Sequence, residues 1–362
     1  MQIDLVEVRN FRNLAPAAVR LGPGAIRVVG KNGQGKSNLL EAVHVLAQGW
    51  SPRARRGAEW VAWGEEDLLA RAEGTFGGRP RRTAVSLESR GAARRAKFDE
   101  RESSGLSLLL GAWPLVSFGP NDVALVQGEP ETRRLWTDAF VSQCSEEGRD
   151  RLRRYRQALR QRNGYLRGCV RPDPALLEAL NETLCAEGAA VVALRRELVE
   201  DLRGEFGRIY ASICGGADGD ASLSYRCSFG DEGGAEAFLR KLESLAPRER
   251  ELKTTLAGPH RDDLEITLKG RPARAAASQG QQRSLALALQ LAGGERLRRL
   301  FGEFPVLLLD DVFSELDADR RRALGELVRR ADQAILAAPN PDEIPFGADR
   351  TLLVESGRIT EL

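Results

Sequence analysis

Histidine is nearly missing from this sequence, with only His44 and His260 among 362 residues. Two imidazoles cannot build a histidine metal cluster, and no structural zinc site is expected. Five cysteines, at 144, 169, 185, 214 and 227, make an odd set without metal-ligand spacing. They read as reduced side chains of a cytosolic protein. No apolar run approaches the ~20 residues of a membrane span, and no signal-peptide pattern opens the chain. Neither export nor a membrane partner is therefore expected. Lysine is scarce, six against 48 arginines, as a GC-rich genome would produce. A single arginine consequently carries little information. The net charge of +2 excludes a chain that binds nucleic acid by overall basicity. The hydrophobic fraction of 42% and charged fraction of 29% are ordinary for a globular protein. No internal repeat is visible.

What the sequence does contain is a phosphate loop. Gly30-Lys31-Asn32-Gly33-Gln34-Gly35-Lys36-Ser37 matches G-x-x-x-x-G-K-[ST] in full, with Asn38 following. The β-branched run Ile26-Arg27-Val28-Val29 before it predicts a buried strand. After it, Leu39, Leu40, Val43 and Ala47 recur at helical spacing, and Gly49 can end the helix. Strand, glycine turn and helix N-terminus aim backbone N–H groups and the helix dipole at phosphate oxygens. Lys36 is expected on the β- and γ-phosphates of ATP, and the Ser37 hydroxyl on Mg²⁺.

Far downstream, Val306-Leu307-Leu308-Leu309 reads as a parallel strand covered on both faces. Asp310 and Asp311 follow at its carboxyl end, where ligands of parallel sheets collect. Asp310 is expected in the Mg²⁺ shell, and Asp311 is expected to orient or deprotonate the attacking water. Ser278-Gln279-Gly280-Gln281 precedes an apolar helix from Leu285 to Leu297. Ser278 is the expected N-cap of that helix, and the helix start forms a second anion site. One chain does not need two phosphate sites for one nucleotide. This arrangement resembles the ABC-type ATPases, in which the serine-glycine-glutamine signature of one subunit closes on the γ-phosphate held by the other. Lys36, Ser278 and Asp311 are then the catalytic set. Ser314-Glu315-Leu316-Asp317 resembles the D-loop of that superfamily.

The N-terminal third reads as strand-rich, with Gln2–Val8, Leu68–Glu73 and Arg82–Leu87 as strands and 90–104 as a charged loop. From Asp122 to about Cys214 the pattern is helical, and Gly215-Gly216 to Gly219 breaks it. Lys253–Gly270 returns to strand. Gln333–Ala337 is a further strand, and Thr351–Val354 with Arg358-Ile359 reads as a hairpin. The phosphate loop and the acidic strand must share a sheet, so the helical middle is an insertion. The expected fold is an α/β ATPase head: 1–115 with 300–362 form one lobe, and 116–299 form a mainly helical second lobe that carries the signature.

Three further strings carry a family resemblance. They are Asn10-Phe11-Arg12-Asn13, Pro130-x-x-Arg133-Arg134-x-Trp136-x-Asp138 and Gly258-Pro259-His260-Arg261-Asp262-Asp263. Together, and in this order with the other motifs, they resemble the RecF family of bacterial DNA replication and repair proteins, relatives of the SMC heads. The resemblance runs over nearly the whole chain. It implies a weak, DNA-dependent ATPase that dimerises on ATP. It also implies binding to DNA at gaps or single-strand/double-strand junctions, with RecR and RecO as pathway partners and RecA loading as the outcome. Arg12 is assigned to the nucleotide's phosphates by the same resemblance. Departures point to a slow switch. Ala337-Ala338-Pro339 offers no polar γ-phosphate sensor, Asp311 stands where transporters use glutamate, and the Q-loop role falls to Asn121 or Asp122.

For DNA, Arg149, Arg153, Arg156 and Arg160 share one face of a helix whose neighbouring face holds Leu152, Tyr155, Leu159 and Leu166. A solvated surface stripe is the competing reading. Arg53-Arg55-Arg56 and Arg79-Arg81-Arg82 are weaker candidates. His260 reads as an organiser of its own loop. A membrane-transport ATPase subunit shares the phosphate loop, signature and D-loop, but the Gly258–Asp263 string and the long gap before the signature oppose it. A module in which ATP is purely structural is the third class.

Overall fold

The computed structural model describes all residues except 55, 89–93, 170–172, 217–218, 232–233 and 315. The chain forms two compact units. The first comprises 1–122, 209–218 and 287–362, and the second 123–208 and 219–286.

Two six-stranded sheets build the first unit. One runs in the order 358–361, 350–355, 24–29, 333–338, 306–310, 115–118. Its neighbours are parallel except for the edge strand 358–361, which closes the hairpin after Arg350–Glu355. The strand leading into the phosphate loop, Gly24–Val29, lies between 333–338 and 350–355. The acidic strand Val306–Asp310 pairs with 333–338 and 115–118, and Val306 to Leu309 are all buried. An apolar run without alternation is what two covered faces require.

The second sheet is antiparallel, in the order 17–20, 2–9, 67–76, 79–88, 94–98, 101–103. Its burial alternates, with Leu68, Ala70, Ala72, Val85, Leu87 and Ala96 turned to the core. The helix Lys36–Gln48 packs between the sheets. Leu39, Leu40, Val43 and Leu46 share one core with Val6, Ala70 and Val85 on one side and Val28, Leu308 and Ile335 on the other. Each such side chain contributes about 1.5–3 kcal/mol by leaving water. Gly49 ends the helix at φ 72°, its N–H bonded to the Val45 carbonyl at 2.8 Å.

The second unit is mainly helical, with helices Pro130–Cys144, Glu146–Gly168 and Ala235–Leu252 and most of Pro174–Ile213. It also holds a three-stranded antiparallel sheet in the order 271–272, 263–268, 221–226. Pro130 sits in the first turn of its helix. Ser145 caps the next helix through Gly148 N–H at 2.9 Å. Several arginines turn inward here and meet carboxylates. Arg133 grips Asp263 through two bonds of 2.8 and 3.0 Å, Arg162 meets Glu249 at 2.6 Å, and Arg195 meets Asp138 at 2.7 Å.

Two expectations are corrected. The charged segment 90–104 is not a loop throughout, because Arg94–Phe98 and Arg101–Ser103 extend the antiparallel sheet, while 90–93 lie outside the described residues. Ala96 is buried there and Phe98 packs half-buried against the core, but the exposed charges between them hide the alternation. Lys253–Gly270 is strand only at Asp263–Leu268, because a 3₁₀ turn at Pro259–Arg261 precedes it.

Candidate functional site

Three residues of the phosphate loop adopt backbone angles open to glycine, with φ 144° at Gly30, 80° at Gly33 and 120° at Gly35. A Cβ on Gly30 would strike the Val354 carbonyl, so only glycine lets the loop pass the neighbouring strand. The loop is held from three sides. Gln34 accepts the N–H groups of Ser356 and Gly357, at 2.6 and 2.9 Å. Asn13 donates to the Gly33 carbonyl at 3.3 Å and accepts from Asn38 at 2.7 Å. Lys31 and Asn32 complete the turn, where Gln34 N–H bonds the Lys31 carbonyl.

Lys36 folds back onto the Gly30 and Lys31 carbonyls at 2.6 and 3.1 Å. Burial lowers its pKa, opposed by Asp310, Asp311 and Glu343. The Ser37 hydroxyl donates to Asp310 at 3.0 Å, a contact between residues 273 positions apart. Burial raises the Asp310 pKa, while the Ser37 hydroxyl and Arg53 pull it back. Asp311 takes φ 53°, its N–H bonded to the Ala337 carbonyl at 3.0 Å. A left-handed aspartate at a strand end is local strain of the kind found at functional sites.

Lys36, Ser37, Asn38, Asp310 and Asp311 line one polar cleft of about 270 Å³ with Asn32, Gly33, Gly35 and Arg53. That volume falls below the ~300 Å³ at which enclosing small-molecule pockets begin. The cleft suits a phosphate chain with the rest of a nucleotide outside it. The hydroxyl of Ser37 and the carboxylate of Asp310 are hard oxygen donors already in contact, and one carboxylate plus phosphate oxygens is a usual Mg²⁺ shell.

Arg12 also has a left-handed backbone, at φ 54°. It reaches Glu41 on the helix behind the loop, at 2.7 and 3.1 Å. Neither Glu41 nor Ser51 carried a sequence signal, and Arg53 stood only among weak DNA candidates. Their role comes from packing, which no local pattern encodes. Past Pro339, Asn340 bonds Glu343 at 3.2 Å, so polar groups do follow the apolar Ala337-Ala338-Pro339. Asp122, unlike Asn121, is locked in place by Gly119 N–H at 2.7 Å and Gln290 at 3.2 Å. Burial raises its pKa to about 6. In the D-loop segment, Ser314 bonds the Asp311 carbonyl at 3.0 Å, Leu316 is buried and Asp317 caps the helix Ala318–Val328. Glu315 lies outside the described residues.

The signature segment belongs to the second unit. The Ser278 hydroxyl accepts from Gln281 N–H at 3.3 Å, and the Gln281 side chain accepts from Ser278 N–H at 2.9 Å. This reciprocal capping box starts the helix Gln279–Phe301 at Gln279-Gly280 and leaves both exposed. The Gly258–Asp263 string turns inward instead. Asp262 accepts from Tyr225 and Ser228, Asp263 from Arg133, and the Pro259 carbonyl from Arg195. His260 is bonded through both ring nitrogens, to Tyr155 at 2.6 Å and the Thr255 carbonyl at 3.0 Å. Burial lowers its pKa to about 4, so it is neutral at pH 7. No cluster of three or more His, Cys, Asp or Glu side chains placed to hold a metal occurs among the described residues.

The arginine stripe divides. Arg149 is half-buried and donates to the Ser142 carbonyl at 2.8 Å, and Arg156 pairs with Asp138 at 2.9 Å. Arg153 is exposed and pairs with its neighbour Asp150, and Arg160 is exposed. Leu152, Tyr155 and Leu166 are buried as expected, and Leu159 is half-buried. Arg81 is withdrawn over the Phe76 and Phe98 rings and Arg82 pairs with Glu73, while Arg79 and Arg56 are exposed. Arg55 lies outside the described residues.

No family model matches the sequence. Among curated proteins, the DNA replication and repair protein RecF of Heliobacterium modesticaldum is 38% identical, covering 90% of this chain and 88% of its own length. That of Myxococcus xanthus is also 38% identical, covering 98% and 95%. A solved structure described as the recombination mediator protein RecF-ATP in the RecFOR pathway superposes with a TM-score of 0.91 at 28% identity, covering 99% and 97%. An SMC head bound to ScpA shares the fold, with a TM-score of 0.58 at 16% identity. With these identities over nearly its whole length, the chain belongs to the RecF family of DNA replication and repair proteins.

Proposed function

We propose that this chain is an ATP-gated DNA-binding switch of recombinational repair and replication-fork recovery. The observation that carries it is the convergence of Lys36, Ser37, Asp310 and Asp311 on one cleft from opposite ends of the sequence. In this reading the loop Gly30–Asn38 cradles the phosphates of ATP, Lys36 leaves its carbonyl partners for the β- and γ-phosphates, and Ser37 with Asp310 holds Mg²⁺. Mg²⁺ supplies charge neutralisation at the phosphates. Asp311 orients or deprotonates the attacking water. Its side chain is one methylene shorter than glutamate, which suits slow turnover.

The second half of the site comes from a second copy. Ser278 to Gln281, fixed by their capping box, close on the γ-phosphate. ATP therefore adds contacts that exist only in the dimer, and such differential contacts shift a monomer–dimer equilibrium. The ATPase lobe comprises 1–115 and 300–362, and the lobe 116–299 carries the signature. The dimer binds gapped or junction DNA, works with RecR and RecO toward RecA loading, and resides in the cytoplasm. Membership of the RecF family and the ATP named for a solved relative support this reading.

Light scattering with ATP and Mg²⁺, with ADP, and with ATP plus gapped duplex tests it. A dimer is expected only with ATP. Lys36→Arg should abolish it, Asp311→Asn should preserve or prolong it, and Ser278→Arg should block it while leaving nucleotide binding intact. A monomer in every condition sinks the composite site. Steady-state turnover that does not respond to DNA would favour a structural nucleotide instead.

A further inference from the structure

Glu41 lies one helical turn beyond Ser37, on the same face of the helix. Its side chain is fully buried. A carboxylate there is tolerable only when its oxygens are satisfied. They are: Oε1 accepts from Arg12 at 2.7 Å and from Ser51 at 2.6 Å, and Oε2 accepts from Arg12 at 3.1 Å and Arg53 at 3.2 Å. Four bonds use the acceptor capacity of a carboxylate. Glu41 has nothing left to offer a ligand, so whatever it does, it does through the two arginines.

Those arginines come from separate loops and bring two positive charges to one negative. Arg12 spends Nε and Nη2 on Glu41 and, among the described residues, keeps Nη1. Arg53 spends Nη1 on Glu41 and on the Asn38 side chain at 2.7 Å and, among the described residues, keeps Nε and Nη2. Arg53 lines the cleft beside Lys36, Ser37 and Asp310. The Arg12 loop is pinned to the phosphate loop through Asn13, Gly33 and Asn38. A planar guanidinium, with five donors in a fixed fork, can hold a buried carboxylate on one edge and present another to a ligand.

From this geometry we propose that Glu41 is a positioning residue that holds Arg53, together with Arg12, as paired cationic contacts for the phosphates of the bound nucleotide. The proposal rests on ATP occupying the cleft. Arg53 thereby moves from a surface charge to a nucleotide contact, and its held placement raises affinity because less side-chain entropy is lost on binding.

The test is a titration of full-length protein with fluorescent ATP and Mg²⁺, run for wild type, Lys36→Ala, Arg12→Ala, Arg53→Ala, Glu41→Gln and the Glu41→Gln/Arg53→Ala double variant. Arg53→Ala and Glu41→Gln should each weaken binding about tenfold to a hundredfold, the loss of a charge-assisted contact. The double variant should be weaker than wild type by much less than the product of the two single effects, because Glu41 acts partly through Arg53. A purely structural Glu41 gives the full product and overturns the proposal. If Glu41→Gln does not fold, wild-type affinity in both arginine variants overturns it, and loss in both supports it. Failure of the nucleotide reading itself looks different, since wild type and Lys36→Ala would then be indistinguishable.

Discussion

The two most specific strings in this chain use their polar atoms in opposite ways. The loop Gly30–Ser37 opens backbone and side chains onto a cleft, and Lys36 rests on carbonyls that a ligand can replace. The string Gly258–Asp263 closes on itself. Asp262, Asp263, His260 and the Pro259 carbonyl are all bonded inside the second unit, and Arg261 is the residue left exposed. A motif identifies a family equally well in either case. Only the direction of its hydrogen bonds says whether it meets a ligand or builds a scaffold.

The strongest way to break this contrast is to cut one bond on each side. Asp263→Asn leaves the Arg133 guanidinium buried without its counter-charge. It should cost about 3–5 kcal/mol of stability with little change in ATP affinity per folded molecule. Chemical denaturation followed by nucleotide titration checks both halves, and an intact denaturation midpoint would end the scaffold reading. Lys36→Ala should do the reverse. It should lower ATP affinity by about 2–5 kcal/mol while the denaturation curve stays in place.

Acidity sharpens the comparison, because buried groups in the two units pull in opposite directions. Asp122 in the first unit has its folded pKa raised from 3.8 to about 6. Its contribution is whole below pH 4 and is lost as pH rises to 6, about 3 kcal/mol in all. His260 in the second unit has its folded pKa lowered from 6.5 to about 4. Its contribution is whole above pH 6.5 and is lost as pH falls to 4. Stability measured across pH 4–6.5 should therefore lose its falling component in Asp122→Asn and its rising component in His260→Gln. Unchanged slopes in both variants would mean that neither group titrates as its surroundings dictate.

The smallest expected effect concerns DNA. Arg153→Ala and Arg160→Ala, on the exposed part of the stripe, should each reduce the salt slope of DNA affinity by about 1. Arg149→Ala should leave that slope alone, since its guanidinium is already spent on Ser142. Equal slopes for all three would remove this helix from the DNA surface.

Sequence patterns gave access to whatever is local. The phosphate loop, the apolar acidic strand Val306–Asp310, the capped helix after Ser278 and the closing hairpin each carry their signal within about ten residues. The strands Arg94–Phe98 and Ala221–Arg226 did not stand out, because each buries a single core side chain, Ala96 or Leu223. The helix Ala235–Leu252 was obscured by Pro247 in its interior. Glu41 was invisible for a different reason. A glutamate on a helix reads as solvent-facing, and only arginines brought from two other loops make its burial possible.

The strand that launches the phosphate loop has a consequence in time. Its two partners are residues 333–338 and 350–355. At ~5–20 residues per second, a ribosome needs some tens of seconds to supply them after Gly24–Val29 has emerged. Through that interval both edges of an apolar strand stand unpaired, inviting contact with neighbouring nascent chains. Ligand competence thus waits on strands made long after the loop itself, and until they emerge the nascent chain carries an apolar strand with open edges.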